Sequence, residues 1–400
     1  MASCNTSNCN KLAIETVATA LINKYNPKFY GGKYFFYQTD TKLGVYLDKN
    51  RIGYVEIDKI KLTADIWKLS KKLKNDLNAD KPEEITRSFV NGILYYLEQE
   101  GLILEKDINK DLMYVNNGIL DTNSCEIIES DEDTFVPLRI PITYDKFAGL
   151  PVKIDYFFTD VITPKDETCR KEDYSDDVQT LYEFAGFLLD PEYSIPKALF
   201  LTGKQRNGKD TYLNLLTSFV GTHNHFPTSL YDLAGDRFAM IELHNKMFGS
   251  RSEMGYDKLS GRGMQLIKDL TGGSSEISAR HIKDTHYTKF YNRCKLGFAA
   301  NELPSANLKD DAFIDRWIIL NFPNYYQQNR EFARALHTEK ELSGLLNMAL
   351  DARKTLQKHE HFTKNQPHSE LYELFAQTAK HDVRVVDQDD NPDVLDLFKM

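Results

Sequence analysis

Apolar and polar positions recur along the chain with two periods, and these periods predict where helices and strands lie. Apolar residues at helical spacing are found in several stretches, at residues 11–25, 57–74, 82–99, 180–189, 330–358 and 369–380. Alternating or short continuous apolar runs next to turn residues predict strands or hairpins at residues 33–48, 112–129, 198–201, 246–253, 277–290 and 295–301. Within two of these stretches, turns are predicted at residues 121–124 and 284–285.

The length and a change in composition predict several domains. A chain of 400 residues is too long for a single hydrophobic core. Between residues 159 and 178 it has seven acidic and three basic residues, which favours a linker. We therefore expect a mixed α/β N-terminal domain at 1–160, an acidic linker at 161–178, a central domain at 179–326, a helical segment at 327–385 and an acidic tail at 386–400.

The central domain begins with a strand pattern, a glycine-rich loop and a helix pattern in direct succession, KALFLTGKQRNGKDTYLNLL at residues 197–216. In this context the glycines let backbone N–H groups turn toward a phosphate, and the lysine after them reaches the outer phosphates. The predicted nucleotide-binding residues are Gly203, Lys204, Gln205, Arg206, Asn207, Gly208, Lys209, Asp210 and Thr211. A glycine-rich turn before an ordinary helix is the alternative.

The residue after the loop lysine is unusual. A Ser or Thr hydroxyl that holds Mg²⁺ is expected there, but the chain has Asp210, with Thr211 one position later. A carboxylate is itself a hard oxygen donor of the kind that Mg²⁺ favours. Asp210 is therefore a predicted metal ligand.

Two later strand ends carry candidate catalytic residues. A nucleotide-hydrolysing loop needs an acid on a neighbouring strand to hold Mg²⁺ or polarise the attacking water, and Glu253 ends the predicted strand at 246–253. Asn301 ends the strand at 295–301, where an amide can orient water without adding charge. A solvent-exposed glutamate and an amide that caps the turn before Pro304 are the respective alternatives.

Arg316 directly precedes the apolar run WIILNF. Arginine neutralises the charge that develops on a transferring phosphoryl group, and it acts in trans when a neighbouring subunit supplies it. A salt bridge to Asp310, Asp311 or Asp315 is the alternative.

The predicted hairpin at 277–290 lies in the most basic stretch of the central domain. Arg280, Lys283, Lys289 and Arg293 accompany a single acid, Asp284, and ring faces come from His281, His286 and Tyr287. This mixture suits a surface that tracks a nucleic-acid backbone and stacks bases. The predicted DNA-binding residues are Arg280, His281, Lys283, His286 and Lys289, and a solvated hairpin face is the alternative.

Composition and charge indicate which broad classes of protein the chain does not resemble. No apolar run reaches the roughly 18 residues that a membrane span needs, and the polar start MASCNTSNCN is unlike a signal peptide. Five cysteines without zinc-type pairing indicate a reducing compartment, so we expect a cytoplasmic protein. The net charge of −9 argues against a nucleic-acid coat, but it does not exclude a local basic surface in an oligomer's channel.

The order of loop lysine, acid, basic hairpin, asparagine strand and arginine resembles that of the superfamily 3 helicases, specifically the poxvirus-, phage- and plasmid-type primase-helicases. The resemblance covers about residues 110–326. It is carried by GKQRNGKDTYLNLL, DRFAMIELHNKMFGSRSE, IKDLTGGSSEISARHIK, KLGFAANELP and DDAFIDRW. The segment MYVNNGILDTNSCEIIESDEDTFVPLRIPITYD looks like the domain that precedes the motor in that family.

The resemblance implies an α/β fold, in which an AAA+-like P-loop motor is joined to a smaller mixed α/β N-terminal domain and a C-terminal helical segment. Such motors assemble as homo-oligomeric rings, usually hexamers. ATP with Mg²⁺ lies between subunits, and hairpins in the central channel pull one DNA strand.

Individual roles also follow from the resemblance. Lys209 would bind the phosphates, Glu253 would activate water, Asn301 would sense the γ-phosphate and Arg316 would be the finger from the neighbour. Asp210 and Glu253 would hold the metal, and Lys283 with His281 would contact DNA in the channel. The sequence departs from the family at Asp210, at Ser252, and at Gln205, where a second loop glycine is common.

The function expected from the sequence is an ATP-dependent replicative DNA helicase of a virus or plasmid. It would act on single-stranded and forked DNA in the host cytoplasm or nucleoid, with a primase or replication initiator as a further partner. The alternative is an ATP-assembled DNA-binding ring or loader with weak hydrolysis, a possibility that Asp210 keeps open. A P-loop NTPase unrelated to nucleic acid is disfavoured by the basic hairpin.

Overall fold

The chain forms two compact units, Met1–Arg139 and Ile140–Met400. The computed structural model describes residues 6–30, 33–38, 53–76, 85–104, 107–129, 133–165, 170–236, 238–252, 259–273, 275–280 and 287–389. Across these ranges, no helix combines the length and the apolar character that crossing a lipid bilayer requires.

The first unit is a mixed α/β structure with two antiparallel sheets. Its helices are α1 (Thr6–Tyr25), α2 (Lys59–Asp76) and α3 (Arg87–Glu100). One sheet has the order β1-β2-β3, with β1 (Lys28–Tyr30), β2 (Lys33–Gln38) and β3 (Gly53–Ile57). The other has the order β4-β5-β6, with β4 (Leu112–Val115), β5 (Gly118–Asp121) and β6 (Glu126–Ile128). These elements confirm the three helices predicted for this region and the paired strands predicted at 112–129.

The central strand β2 divides the apolar side chains of the first unit between two clusters. Tyr34 and Phe36 pack with the helices, whereas Phe35 and Tyr37 pack with the second sheet. This division follows from the alternation of side chains along a strand. The remainder of the hairpin predicted at 33–48 falls on residues 39–48, outside the described residues.

The second unit contains a five-stranded parallel sheet and a separate hairpin. The sheet order is β13-β7-β12-β9-β8, with β7 (Ala198–Thr202), β8 (His225–Pro227), β9 (Phe248–Arg251), β12 (Lys295–Ala299) and β13 (Trp317–Asn321). The hairpin pairs β10 (Glu276–Ala279) with β11 (Thr288–Tyr291). The helices are α4 (Val152–Ile162), α5 (Ser175–Leu188), α6 (Lys209–Val220), α7 (Leu230–Gly235), α8 (Gly261–Thr271), α9 (Asp311–Ile314), α10 (Arg330–Ala335), α11 (Glu339–His359) and α12 (His368–Asp389). The α/β fold class predicted from the sequence is confirmed.

Helices cover both faces of the parallel sheet, as such sheets require. Ala198 and Phe200 of β7 point to the face covered by α7, α8, α9 and α12. The intervening side chains of β7, Leu199 and Leu201, are fully buried on the opposite face. On that face α6 contacts β9 and β12, and α5 packs against α4 and α11.

The last helix, α12, belongs to the core on the α8 face of the sheet. Leu371 and Phe375 of α12 join the apolar cluster on the α8 face. The side chain of Gln366 accepts a hydrogen bond from the Ile319 N–H at 2.7 Å, which satisfies one backbone donor on the edge strand β13. Helix α12 continues to Asp389, beyond the predicted end at residue 380. Residues 390–400 of the predicted acidic tail lie outside the described residues.

The division between the compact units falls after residue 139, whereas the composition places the end of the N-terminal domain at 160. Helix α4 packs on α5 and α11 of the second unit. Its last residues, Val161 and Ile162, are buried, and they are also the first residues of the acidic linker that the composition predicts. The contacts that hold α4 come from residues far along the chain, and composition does not report them.

A buried glutamate from α11 fixes the start of α4. The carboxylate of Glu341 accepts the backbone N–H groups of Lys153 and Ile154 at 3.0 and 3.1 Å. Pro151, the residue at the N-cap position, provides no side-chain hydrogen bond. Glu341 therefore caps the helix from 188 positions away in sequence.

A buried lysine holds the connection that leads into β7. Lys295, at the start of β12, is fully buried, and its ammonium donates to the backbone carbonyls of Asp190 and, at 2.7 Å, of Glu192. The rings of Phe187 and Tyr193 lie 4.9 and 5.7 Å from the same ammonium. Burial lowers the pKa of Lys295 to about 7. This contact fixes the segment before β7 relative to β12.

We expect Glu341→Ala to lower the free energy of unfolding of the second unit by about 1–2 kcal/mol, because two helix N–H groups lose their acceptor. Urea unfolding of the full chain, followed by circular dichroism, measures the change. The matched control is Glu339→Ala, which removes an exposed glutamate from the same helix turn and should cost less than about 0.5 kcal/mol. Equal losses in the two variants would contradict the capping role.

Candidate functional site

The glycine-rich loop lies at the carboxyl edge of the parallel sheet, between β7 and α6. Strand β7 has β13 on one side and β12 on the other. From β7 the chain passes to the far edge at β8, returns through β9 and β12, and then crosses to β13. The loop is therefore at the position where the strand order reverses, and open α/β sheets form their ligand crevices at such positions.

The loop backbone depends on its two glycines. Gly203 has φ 128°, and a Cβ at this position would lie 2.3 Å from the Phe322 carbonyl oxygen. Gly208 has φ 97°, and its Cβ would lie 2.8 Å from Cγ1 of Val161 on α4. Residues with side chains rarely adopt either backbone conformation. The glycines thus allow the loop to approach both the end of β13 and α4.

The Lys209 side chain folds back into the loop that precedes it. Its ammonium donates to the carbonyl oxygens of Gly203 at 2.5 Å and Lys204 at 3.0 Å, and to Oδ1 of Asn207 at 3.0 Å. Desolvation lowers the pKa of Lys209, and the carboxylate of Asp210 opposes this effect. A single cation enclosed by a backbone loop at a helix N-terminus suits the binding of an anion.

Asn207 connects the loop to the end of the neighbouring strand. Its side chain is almost fully buried at 2% exposure, and its Nδ2 donates to the Phe322 carbonyl at 2.9 Å. Its Oδ1 accepts from the Lys209 ammonium. In the sequence, Asn207 is recognisable only as one residue of the glycine-rich loop. Its partner Phe322 lies 115 positions away, so the local pattern carries no signal for this role.

Asp210 is exposed in the first turn of α6, and Thr211 beside it is partly buried. A carboxylate in this turn is favourable to the helix dipole and is a suitable oxygen donor for Mg²⁺. Among the described residues, no group of three or more His, Cys, Asp or Glu side chains is placed to hold a metal ion. A magnesium ion that is bound mainly through phosphate oxygens needs only one or two protein ligands.

The structure places Asn301 beside the loop. Strand β12 pairs with β7, and the Gly203 N–H donates to the Asn301 carbonyl at 3.2 Å. The strand predicted at 246–253 is confirmed as β9, which pairs with β12 on the side away from β7. Its expected acid, Glu253, lies outside the described residues.

Arg316 lies at the opposite edge of the sheet from the loop. Its carbonyl accepts from the Ala198 N–H at 2.7 Å, at the start of β7, whereas the loop follows Thr202 at the end of that strand. The five strand residues between them span roughly 16 Å at about 3.3 Å each. The structure therefore does not bring Arg316 and Lys209 of one chain together.

The aspartates near Arg316 all have other partners: Asp310 pairs with Lys268 at 2.8 Å, and Asp311 and Asp315 pair with His368 at 3.5 and 2.7 Å. The Nε of Arg316 is buried without a hydrogen-bond partner within the described part of the chain. Among the described residues, Arg316 therefore forms no salt bridge with Asp310, Asp311 or Asp315, which was its alternative role.

The basic hairpin is confirmed as β10 and β11, but its predicted tip residues His281, Lys283 and His286 lie outside the described ranges. The Arg280 guanidinium lies 5.4 Å from the ring centroid of Tyr287, which is 62% exposed. Lys289 pairs with Glu276 across the hairpin at 2.8 Å, which raises the pKa of the lysine.

A second exposed ring, Tyr291 at 61%, lies on β11, one residue beyond the hairpin that the sequence predicts at 277–290. It alternates with the buried Phe290 along the strand, so strand periodicity is the signal that identifies it.

Residues 201–316 match a family described as "Family of unknown function (DUF5906)". The matched segment begins within β7 and ends at Arg316. No curated protein matches the chain in sequence.

Several solved structures are similar to the chain, and three of them are of the C-terminal region of NrS-1 in apo form. The first, in the A form, has a TM-score of 0.47 and 12% identity, and the match covers 90% of this chain and 74% of that one. The second, an A form of residues 305–718, has a TM-score of 0.44, 14% identity and coverages of 89% and 71%. The third, also of residues 305–718, has a TM-score of 0.45, 14% identity and coverages of 92% and 74%. Similarity at this level does not assign a chemical activity to this chain.

We expect Gly203→Ala to lower the free energy of unfolding by about 1–3 kcal/mol, because alanine is strained at φ 128° and its Cβ would collide with a backbone carbonyl. Urea unfolding measures the change. The matched control is Gly261→Ala at the start of α8, where a Cβ would meet nothing within 4 Å. If Gly203→Ala is as stable as the control, the loop does not need the conformation described here.

Proposed function

We propose that this protein is an ATP-dependent replicative DNA helicase of a virus or plasmid, which forms a ring and translocates on single-stranded DNA. One observation carries the proposal. The loop at residues 203–208 encloses the Lys209 ammonium at the N-terminus of α6, at the point where the order of a parallel sheet reverses. That arrangement suits the phosphates of a nucleoside triphosphate.

The residues around the loop have separate roles in this proposal. Lys209 and the first N–H groups of α6 bind the outer phosphates, and Asn301 orients the attacking water from the end of β12. Asp210 and Glu253 hold Mg²⁺, and Glu253 also polarises the water. When bound, Mg²⁺ neutralises charge on the phosphate oxygens. The lowered pKa of Lys209 reflects desolvation, and an incoming anion favours its charged form.

The position of Arg316 supports a site shared between two copies. In a parallel sheet, a residue that precedes β13 lies at the edge opposite to the loop that follows β7. If Arg316 stabilises charge on a transferring phosphoryl group, it does so at the loop of a neighbouring copy. Head-to-tail contacts of this kind close into rings when the rotation between copies permits.

The hairpin of β10 and β11 provides the DNA contact in this proposal. Arg280 lies beside the ring of Tyr287, and the rings of Tyr287 and Tyr291 are largely exposed. Exposed rings stack bases of any identity, and cations on the same element attract the phosphate backbone. The predicted residues His281, Lys283 and His286 would extend this surface.

A second candidate is a DNA-binding ring or loader that assembles with ATP and hydrolyses it weakly. The exposed carboxylate of Asp210 favours it, because this position usually carries a hydroxyl that holds Mg²⁺.

We expect steady-state ATP hydrolysis by the full chain to rise severalfold with single-stranded DNA and to be lost in Lys209→Ala. Lys358→Ala, which removes an exposed lysine from α11, is the matched control and should behave as the wild type. ATP binding without turnover would favour the loader. Turnover that is indifferent to DNA would contradict the helicase, and normal turnover in Lys209→Ala would contradict the nucleotide site.

We expect Arg316→Ala to reduce turnover by roughly 10³-fold or more while ATP still binds, since trans-acting arginines have effects of that order. Arg262→Ala, which removes an exposed arginine of α8, is the control. Mixing two inactive variants tests whether the site is shared between neighbouring copies. Arg316→Ala and Lys209→Ala copies should together recover part of the activity, because an intact loop then meets an intact arginine at some junctions. If mixed assemblies form and remain inactive, Arg316 does not act in trans.

A further inference from the structure

The segment that follows β13 runs along the outer side of the glycine-rich loop. The Phe322 carbonyl accepts from Nδ2 of Asn207 at 2.9 Å, and the Tyr326 N–H donates to the Arg206 carbonyl at 2.8 Å. These two hydrogen bonds hold residues 322–326 against loop residues 206 and 207. The rim of the loop is therefore built partly from this segment.

Both neighbours of Tyr325 are fixed to the end of α4. The side-chain amide of Asn324 donates to the carbonyls of Asp160 at 2.7 Å and Thr163 at 2.6 Å. The Tyr326 hydroxyl also donates to the Asp160 carbonyl, at 2.6 Å. Lys165 covers the Tyr326 ring, with its ammonium 4.2 Å from the ring centroid. The backbone on either side of Tyr325 is thus held in place.

Tyr325 itself is largely exposed. Its side chain is 62% exposed, although Asn324 beside it is only 8% exposed. Its hydroxyl oxygen accepts a hydrogen bond from the guanidinium of Arg206 at 3.1 Å. Arg206 belongs to the loop and has a left-handed backbone with φ 59°. An exposed aromatic ring is therefore tied directly to the loop that encloses the Lys209 ammonium.

We infer that Tyr325 is the stacking surface for the base of the nucleoside triphosphate, a role that rests on the proposed binding of phosphates by the loop. A triphosphate held at Lys209 leaves its nucleoside to extend past the rim, where residues 322–326 lie. Aromatic rings stack on bases of every kind, so the site would accept any nucleobase. Because its neighbours are held by hydrogen bonds, the ring loses little conformational freedom when a base binds.

The pairing of Tyr325 with Arg206 fits this role. A guanidinium is planar and stacks on aromatic and heterocyclic rings, and it also attracts phosphate oxygens. A hydrogen bond between exposed groups adds little to stability. The hydrogen bond from Arg206 instead orients the Tyr325 side chain, because it keeps the phenol ring next to the loop.

The test is the equilibrium binding of ATP, GTP and inorganic triphosphate to the full chain by calorimetry with Mg²⁺ present. Inorganic triphosphate has the charge of the ligand but no base. We expect Tyr325→Ala to weaken ATP and GTP binding by about tenfold, the size of alanine effects at base–aromatic stacks. Its affinity for inorganic triphosphate should stay within about twofold of the wild type.

Control variants separate the ring from its hydroxyl and from general surface effects. Tyr325→Phe keeps the stacking ring and loses only the hydrogen bond from Arg206, so it should bind ATP more tightly than Tyr325→Ala does. Tyr156→Ala removes a tyrosine of similar exposure, 58%, from α4 and should leave all three affinities unchanged. Lys209→Ala should lose binding of all three ligands, which identifies the phosphate site independently of Tyr325.

Each other outcome contradicts a stated part of the inference. If Tyr325→Ala binds ATP as tightly as the wild type, the base does not stack on this ring, although the phosphate site stands. Equal weakening of ATP and inorganic triphosphate would mean that Tyr325 supports the loop rather than the base. If the wild-type chain binds none of the three ligands, the proposed nucleotide function fails and the role of Tyr325 fails with it.

Discussion

The enclosure of the Lys209 ammonium by its own loop is the interaction on which the candidate site depends. A cation that leaves water must regain hydrogen bonds from the protein. Here the carbonyls of Gly203 and Lys204 and the amide of Asn207 supply them. These oxygens stay in place because the glycines permit left-handed backbone and because Asn207 is bound to the Phe322 carbonyl. The loop conformation therefore depends on β13, a strand that lies more than a hundred residues further along the chain.

Strand β13 also determines where the candidate arginine lies. Its carboxyl end holds Asn207 through Phe322, and Arg316 precedes its amino end. Because β13 and β7 are parallel, these two features lie at opposite edges of one sheet. The aspartates around Arg316 pair with Lys268 and His368 rather than with the arginine. The geometry of a single strand thus explains why the proposed mechanism needs two copies.

Local sequence signals predicted the elements around the site well. The apolar runs of β7 and β12, the loop between Gly203 and Gly208 and the hairpin strands all lie where periodicity and turn residues indicated. What the sequence could not provide are contacts between distant residues. Asn207 with Phe322, Glu341 with α4 and Tyr325 with Arg206 each join positions more than a hundred residues apart. The same limitation applies to the domain boundary predicted at residue 160. That position lies in α4, a helix that packs on the distant α11.

The most direct test of the nucleotide site is a crystal structure of the full chain with Mg²⁺ and a non-hydrolysable ATP analogue. We expect the outer phosphates to lie within hydrogen-bond distance of the Lys209 ammonium and of the first N–H groups of α6. We also expect Arg316 of a second copy to face those phosphates. A nucleotide bound elsewhere on the chain, with the Lys209 ammonium still on the carbonyls of Gly203 and Lys204, would contradict the central claim.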